Sequence, residues 1–298
     1  MTSLRTSPIV VLDSGLGGLT VVRALRAALP AEDIVYFGDT ARLPYGSKTS
    51  ATVTGFVRQI IGYVEPLGPK HIVIACNTAT ALALPALRME FPGLSISGVI
   101  EPGAKAAVVA AGARQYPIFG VIATEATIRS KAYERAIHRR RQQARLLLRP
   151  TPLLVPLIEE GRGSDDPLVQ LAVRQYLAPL LKHRMNVLVL GCTHYPIYKE
   201  LISQTVGPRV HVIDSAEECA DDVARRLKAS VRLNATAELE SGMKLREGML
   251  SCMVTDAPRR FQSLAPRFIG CEIELPTWVS PDELSAGRAV AVPMSVSA

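Results

Sequence analysis

Short apolar runs alternate with longer amphipathic stretches along most of this chain. Residues 8–13, 33–37, 71–75, 118–122, 186–190 and 210–213 are each brief, β-branched and almost wholly apolar. Such runs predict strands covered on both faces, the mark of a parallel sheet. Stretches such as 19–29 and 78–90 space their apolar residues at helical intervals. Strands that alternate with helices predict an α/β architecture.

One internal similarity adds to that picture. The run 71–75 ends in Cys76-Asn77-Thr78, and the run 186–190 ends, one glycine later, in Cys192-Thr193-His194. Each cysteine is therefore expected at the C-terminal end of a parallel strand, where open α/β sheets bind ligands. Two such units predict two similar domains facing one cleft. Pro102-Gly103 and Gly207-Pro208 suggest the breaks. They give a first domain in two pieces, 1–98 and 209–298, around a second at 99–208. After about residue 279 the sequence is rich in Ser, Pro and Ala, and is expected to be a loose tail.

The chain has 298 residues, of which 48% are hydrophobic and 20% charged, an ordinary balance for a soluble globular protein. No run reaches the ~18 apolar residues of a membrane span. The start of the chain does not read as a secretion signal, so a cytoplasmic location is expected. The five cysteines Cys76, Cys192, Cys219, Cys252 and Cys271 are odd in number and lack CxxC or zinc spacing. They are expected to be free thiols with no metal. The net charge of +7 raises the question of a nucleic-acid partner. Much of it sits in 129–149, read as a helix with a solvated basic face, and no nucleic-acid motif accompanies it.

Candidate chemistry lies at the strand ends. Asp13-Ser14-Gly15-Leu16-Gly17-Gly18 looks at first like a dinucleotide fingerprint. It fails, because the third glycine position is Thr20. Backbone N–H groups at such a turn can hold a carboxylate, leaving Asp13 to face an ammonium group or a catalytic residue. A plain tight turn, with Asp13 or Ser14 capping the helix, is the alternative. Gly38 to Gly46 reads as a shaped loop in which Tyr45 offers a hydroxyl and Gly46 a close backbone approach. Thr78 is a candidate helix cap. Cys76 could be a buried small hydrophobe, yet it stands at a strand end, where a helix N-terminus favours a thiolate. His194 beside Cys192 could shuttle protons. One Cys near one His would equally suit a hydrolase nucleophile, but a hydrolase needs no second, matching cysteine. Inverting a carbon centre without a cofactor does need two acid/base groups, one on each face. A free thiol titrating near pH ~8.5 suits either role.

The chain resembles the aspartate/glutamate racemase superfamily, and within it the glutamate racemase family, from about residue 8 to 274. The carrying segments are VLDSGLGGLTV from Val11, YFGDTARLPYGSKT from Tyr36, ACNTATALAL from Ala75, GVIEPG from Gly98, GVIATEATIRSKAY from Gly120, LGCTHYPI from Leu190 and VIDSAEE from Val212. The resemblance implies two flavodoxin-like domains related by pseudo-symmetry, with the site between them. It implies PLP-independent interconversion of L- and D-glutamate with no cofactor, supplying D-glutamate for peptidoglycan. The family's catalytic pair falls on Cys76, acting on the D-enantiomer with Asp13, and Cys192, acting on the L-enantiomer with His194. A further family glutamate falls on Glu159, next to Glu160. Substrate contacts carry over to Asp13, Ser14, Pro44, Tyr45, Gly46, Asn77, Thr78, Thr124, Thr193 and His194. A homodimer is expected. The N-terminus lacks the extension of members activated by a peptidoglycan precursor, so that activation is not expected. Aspartate racemisation is the alternative within the superfamily. Binding to DNA or gyrase is the alternative of another class.

Overall fold

The apolar runs become strands in the computed structural model, which describes residues 6–230, 233 and 247–286. Among those residues the strands are β1 (Ile9–Asp13), β2 (Ile34–Gly38), β3 (His71–Ile74), β4 (Ile96–Gly98), β5 (Ile118–Ala123), β6 (Arg145–Pro150), β7 (Val187–Gly191), β8 (His211–Asp214), β9 (Leu250–Val254) and β10 (Thr277–Trp278). They form one sheet in the order β10-β9-β2-β1-β3-β4 and another in the order β6-β5-β7-β8. Every pairing is parallel.

The order β2-β1-β3-β4 recurs as β6-β5-β7-β8, the 2-1-3-4 arrangement of a flavodoxin-like sheet. Register makes the repeat concrete. Leu12 stands level with Ile74, and Ile122 level with Leu190. Two residues beyond those partners come Cys76 and Cys192. Thr151 repeats the position of Asp39 in the same way. Its N–H donates to Ala123 at 3.0 Å, as the Asp39 N–H donates to Asp13 at 3.0 Å.

Alternation along the strands explains why both faces are apolar. Val10, Leu12, Val35, Phe37, Ile72 and Ile74 enter a core on one side of the first sheet. Ile9, Val11, Ile34, Tyr36 and Val73 enter a larger core that also takes Ile122, Leu188 and Leu190 from the second sheet. The second sheet keeps its own outer core around Phe119, Val121, Val187 and Val189. The shared core, together with helix Ser215–Ala229 against helices Leu19–Ala28 and Ile100–Ala111, locks the two sheets to each other.

Four expectations change. Strand β8 pairs with β7, so residues 211–214 belong to the second sheet, and the chain returns to the first later than a 208/209 break suggests. The basic segment 129–149 is not one helix. It is helix Ala132–His138 followed by the edge strand β6, whose Leu146, Leu147 and Leu148 are only half buried between charged neighbours. Arg139 and Arg140 both pair with Glu101, and Arg141 donates to the carbonyls of Gly112 and Arg114. The stretch 78–90 is split at Ala83, where Pro85 starts a second helix, Leu84–Glu90. The expected tail is ordered up to residue 286. Ser280 and Glu283 form a capping box on helix Pro281–Ser285, and Val279 and Leu284 are buried. Residues 287–298 of that tail lie outside the described residues. Among the described residues, no helix is long and apolar enough to cross a membrane.

Leu284→Ala should lower the unfolding free energy by about 2–4 kcal/mol, the usual cost of emptying a packed leucine site. Urea denaturation measures it, and a change under ~1 kcal/mol would mean that residues 279–286 add no packing.

Candidate active site

The C-terminal ends of β1, β3, β5 and β7 converge on a cavity of about 450 Å³. Its lining includes Ser14, Pro44, Tyr45, Gly46, Cys76, Asn77, Thr78, Thr124, Glu159, Cys192, Thr193 and His194. These are the residues the sequence and its resemblance single out, with one exception. Asp13 is buried beside Ser14, behind the lining. Thr151, Val155 and Arg260 also line the cavity and were not foreseen. Thr151 follows β6, which the sequence pattern conceals. Arg260 comes from helix Pro258–Leu264, distant in sequence from the other lining residues.

On one side stands Cys76. It caps helix Asn77–Leu82, its Sγ accepting the Ala79 N–H at 3.5 Å, so the cap is the cysteine and not Thr78. Burial and the charge of Asp13 push the Cys76 thiol up to about 12, against the pull of the Ala79 N–H and the Ser14 hydroxyl. Near neutral pH it is a protonated acid. Asp13 is itself raised by burial, which outweighs the charge of His194 and the backbone N–H groups of the turn. Its Oδ2 accepts the Gly15 N–H at 3.0 Å, and its Oδ1 is buried without a partner. It caps no helix. That position, ahead of Leu19–Ala28, belongs to Gly18.

On the other side Cys192 Sγ lies 3.9 Å from His194 Nδ1. The opposite ring nitrogen, Nε2, meets Glu159 Oε1 at 3.0 Å. Glu160, which also lines the cavity, pairs with Arg162 instead. Burial alone would lower the histidine's pKa. The contacts with Cys192 and Glu159 outweigh it and push His194 up to about 10, so the ring carries a proton at neutral pH. The imidazole and the Phe268 ring pack in a T shape with centroids 5.5 Å apart. Gly17 packs so tightly on Thr193 and His194 that a Cβ there would collide with both.

The remaining walls are braced from both domains. Buried Asp39 accepts from the Tyr45 hydroxyl, from Arg42 Nε at 2.7 Å and from the Thr255 hydroxyl at 3.0 Å. Tyr45 therefore spends its hydroxyl on holding the loop, and Tyr45-Gly46 can offer a ligand its backbone. Thr78 Oγ1 meets Thr124 Oγ1 at 2.8 Å and Thr127 Oγ1 at 3.1 Å across the domain boundary. All five cysteines are free, and Cys219, Cys252 and Cys271 lie outside the cavity lining.

Two flavodoxin-like sheets, each ending in a cysteine at the same register and sharing one cavity, are the frame of a racemase. Residues 15–223 match the Asp/Glu/Hydantoin racemase family model, and the chain belongs to that family. Within it, the chain is 44% identical to the glutamate racemase of Geobacter metallireducens over 87% of this chain and 92% of that one. It is 41% identical to the glutamate racemase of Chlorobaculum tepidum over 90% and 94%. The crystal structure of Francisella tularensis glutamate racemase in complex with D-glutamate superposes with a TM-score of 0.83, at 34% identity, covering 95% of this chain and 99% of that one.

Because His194 binds its proton more tightly when folded, its contribution to stability is full below pH 6.5. It is lost as pH rises toward about 10. Urea midpoints measured across that window should fall for the wild type, and fall less steeply for His194→Asn. Equal slopes in the two proteins would refute the protonated histidine.

Proposed function

We propose that this protein interconverts L- and D-glutamate by two-base proton transfer at Cα, without PLP. The observation that carries the reading is the pair Cys76 and Cys192, placed at equivalent register in two domains and lining one cavity. The glutamate assignment is supported by the names of the relatives and by the D-glutamate bound to the Francisella enzyme. The product would supply peptidoglycan synthesis.

From L-glutamate, the Cys192 sulfur removes the Cα proton, and the neighbouring imidazolium of His194 offsets the negative charge on that sulfur before transfer. Glu159 holds the ring in place and keeps it charged. The Cys76 thiol then delivers its proton to the opposite face of the carbanion. One C–H bond is broken and one is made, and the site is left with Cys76 deprotonated and Cys192 protonated. D-Glutamate runs the same steps in reverse, with Asp13 beside the Cys76 that must give up its proton. The unpartnered Asp13 Oδ1 is a buried acceptor suited to the substrate ammonium group. Ser14, Thr78, Thr124, Thr193 and the backbone of Pro44-Tyr45-Gly46 suit the two carboxylates.

Cys76→Ser and Cys192→Ser should each lower racemisation by about 10²–10⁴-fold, the usual weight of a positioned acid or base. A coupled assay for D-glutamate formed from L-glutamate reads this, and in deuterated water the wild type should place deuterium at Cα. Full activity in either variant would end the two-base reading. Faster turnover of aspartate than of glutamate would move the substrate assignment.

A further inference from the structure

Asn77 follows Cys76 and lines the cavity, yet half of its amide is already committed. Its Oδ1 accepts the hydroxyl proton of Tyr133 at 2.7 Å. Tyr133 lies on helix Ala132–His138 in the other domain and is itself buried. Among the described residues, Asn77 Oδ1 is the acceptor that this buried phenol proton has. The amide is thus held with its oxygen turned to the protein. Its other end, Nδ2, is buried and has no partner.

A buried, unpartnered donor is unusual and calls for an acceptor. Two unpartnered buried atoms belong to residues close to Cys76: the donor Asn77 Nδ2, from the cavity lining, and the acceptor Asp13 Oδ1, just behind it. Together they match the carboxylate and ammonium of an α-amino acid. An asparagine amide left to itself could turn over and present its oxygen, which would repel a carboxylate. A turned amide would leave the buried Tyr133 proton without its acceptor, so this neighbour across the domain boundary opposes the turn.

We propose that Tyr133 is a positioning residue, which fixes the Asn77 amide so that Nδ2 donates to a carboxylate of the bound amino acid. The inference rests on the glutamate reading of the same cavity. Because Tyr133 and Asn77 belong to different domains, their hydrogen bond also ties this donor to the seating of one domain on the other.

Steady-state racemisation in both directions, for Tyr133→Phe, Asn77→Ala and the double variant, tests it. Losing one oriented hydrogen bond to a carboxylate held alike in ground and transition states should raise KM about tenfold with little change in kcat. The phenylalanine ring preserves the packing, so a merely structural tyrosine would leave the KM-to-kcat split unmoved. In the Asn77→Ala background, Tyr133→Phe should add no further loss. Asn77→Asp supplies a check that does not depend on Tyr133→Phe folding well. It keeps an acceptor for Tyr133 but puts an oxygen where Nδ2 stands, so its KM should exceed that of Asn77→Ala. Three results would overturn the proposal: wild-type constants in Tyr133→Phe, losses that multiply in the double variant, or equal KM values for Asn77→Asp and Asn77→Ala. Absence of turnover in the wild type would instead overturn the glutamate reading, a distinct result from any of these.

Discussion

The site depends on two parallel sheets held with their C-terminal ends facing one space. At that end each strand stops pairing, and the next helix begins with its free N–H groups turned toward the gap. A residue there is anchored by a rigid strand behind it, yet it borders the cavity. Cys76 and Cys192 both occupy such points, and their relative position is only as fixed as the contact between the sheets. The shared core, with Ile9, Val11 and Tyr36 from one sheet and Ile122, Leu188 and Leu190 from the other, supplies that contact. Nearer the cavity, the Thr78–Thr124–Thr127 hydroxyls and the Asn77–Tyr133 bond repeat it in polar form.

Within this symmetric frame the electrostatics are not symmetric. Register pairs Asp13 with Ala123, and chain position pairs Thr78 with His194. The first thiol therefore has a buried carboxylate for a neighbour and is held protonated. The second has a buried imidazolium, kept charged by its contacts with Cys192 and Glu159. One half of the cavity holds a proton ready to give while the other offsets negative charge on sulfur. In the proposed two-base reaction that division would assign the two thiols opposite starting roles, which a perfect duplication would not by itself do.

The strands buried on both faces were legible in the sequence, because burial on two sides leaves a continuous apolar run that few other contexts produce. The rest escaped for identifiable reasons. β4 has three residues and β10 two, too short for a pattern. β6 is an edge strand flanked by arginines, and β9 is broken by Ser251 and Cys252. The helix at 281–285 hid in a Ser-Pro stretch whose composition suits a loop, although Ser280 and Glu283 have the spacing of a capping box. Missing β6 also concealed Thr151, and the helix bearing Arg260 offered no local sign that it reaches the cavity.

By itself the sequence determined the α/β class, the repeat and the two cysteines. Each of these is a local property: strand burial shows in composition, and a cysteine after a strand stays after that strand. Tertiary structure decided which groups touch. It chose Glu159 over Glu160 as the partner of His194, turned the Tyr45 hydroxyl to Asp39 and made Cys76 rather than Thr78 the helix cap. It also set Tyr133 against Asn77. Those choices depend on the direction of side chains from elements far apart in the chain, and on charges whose balance exists only once water has been excluded.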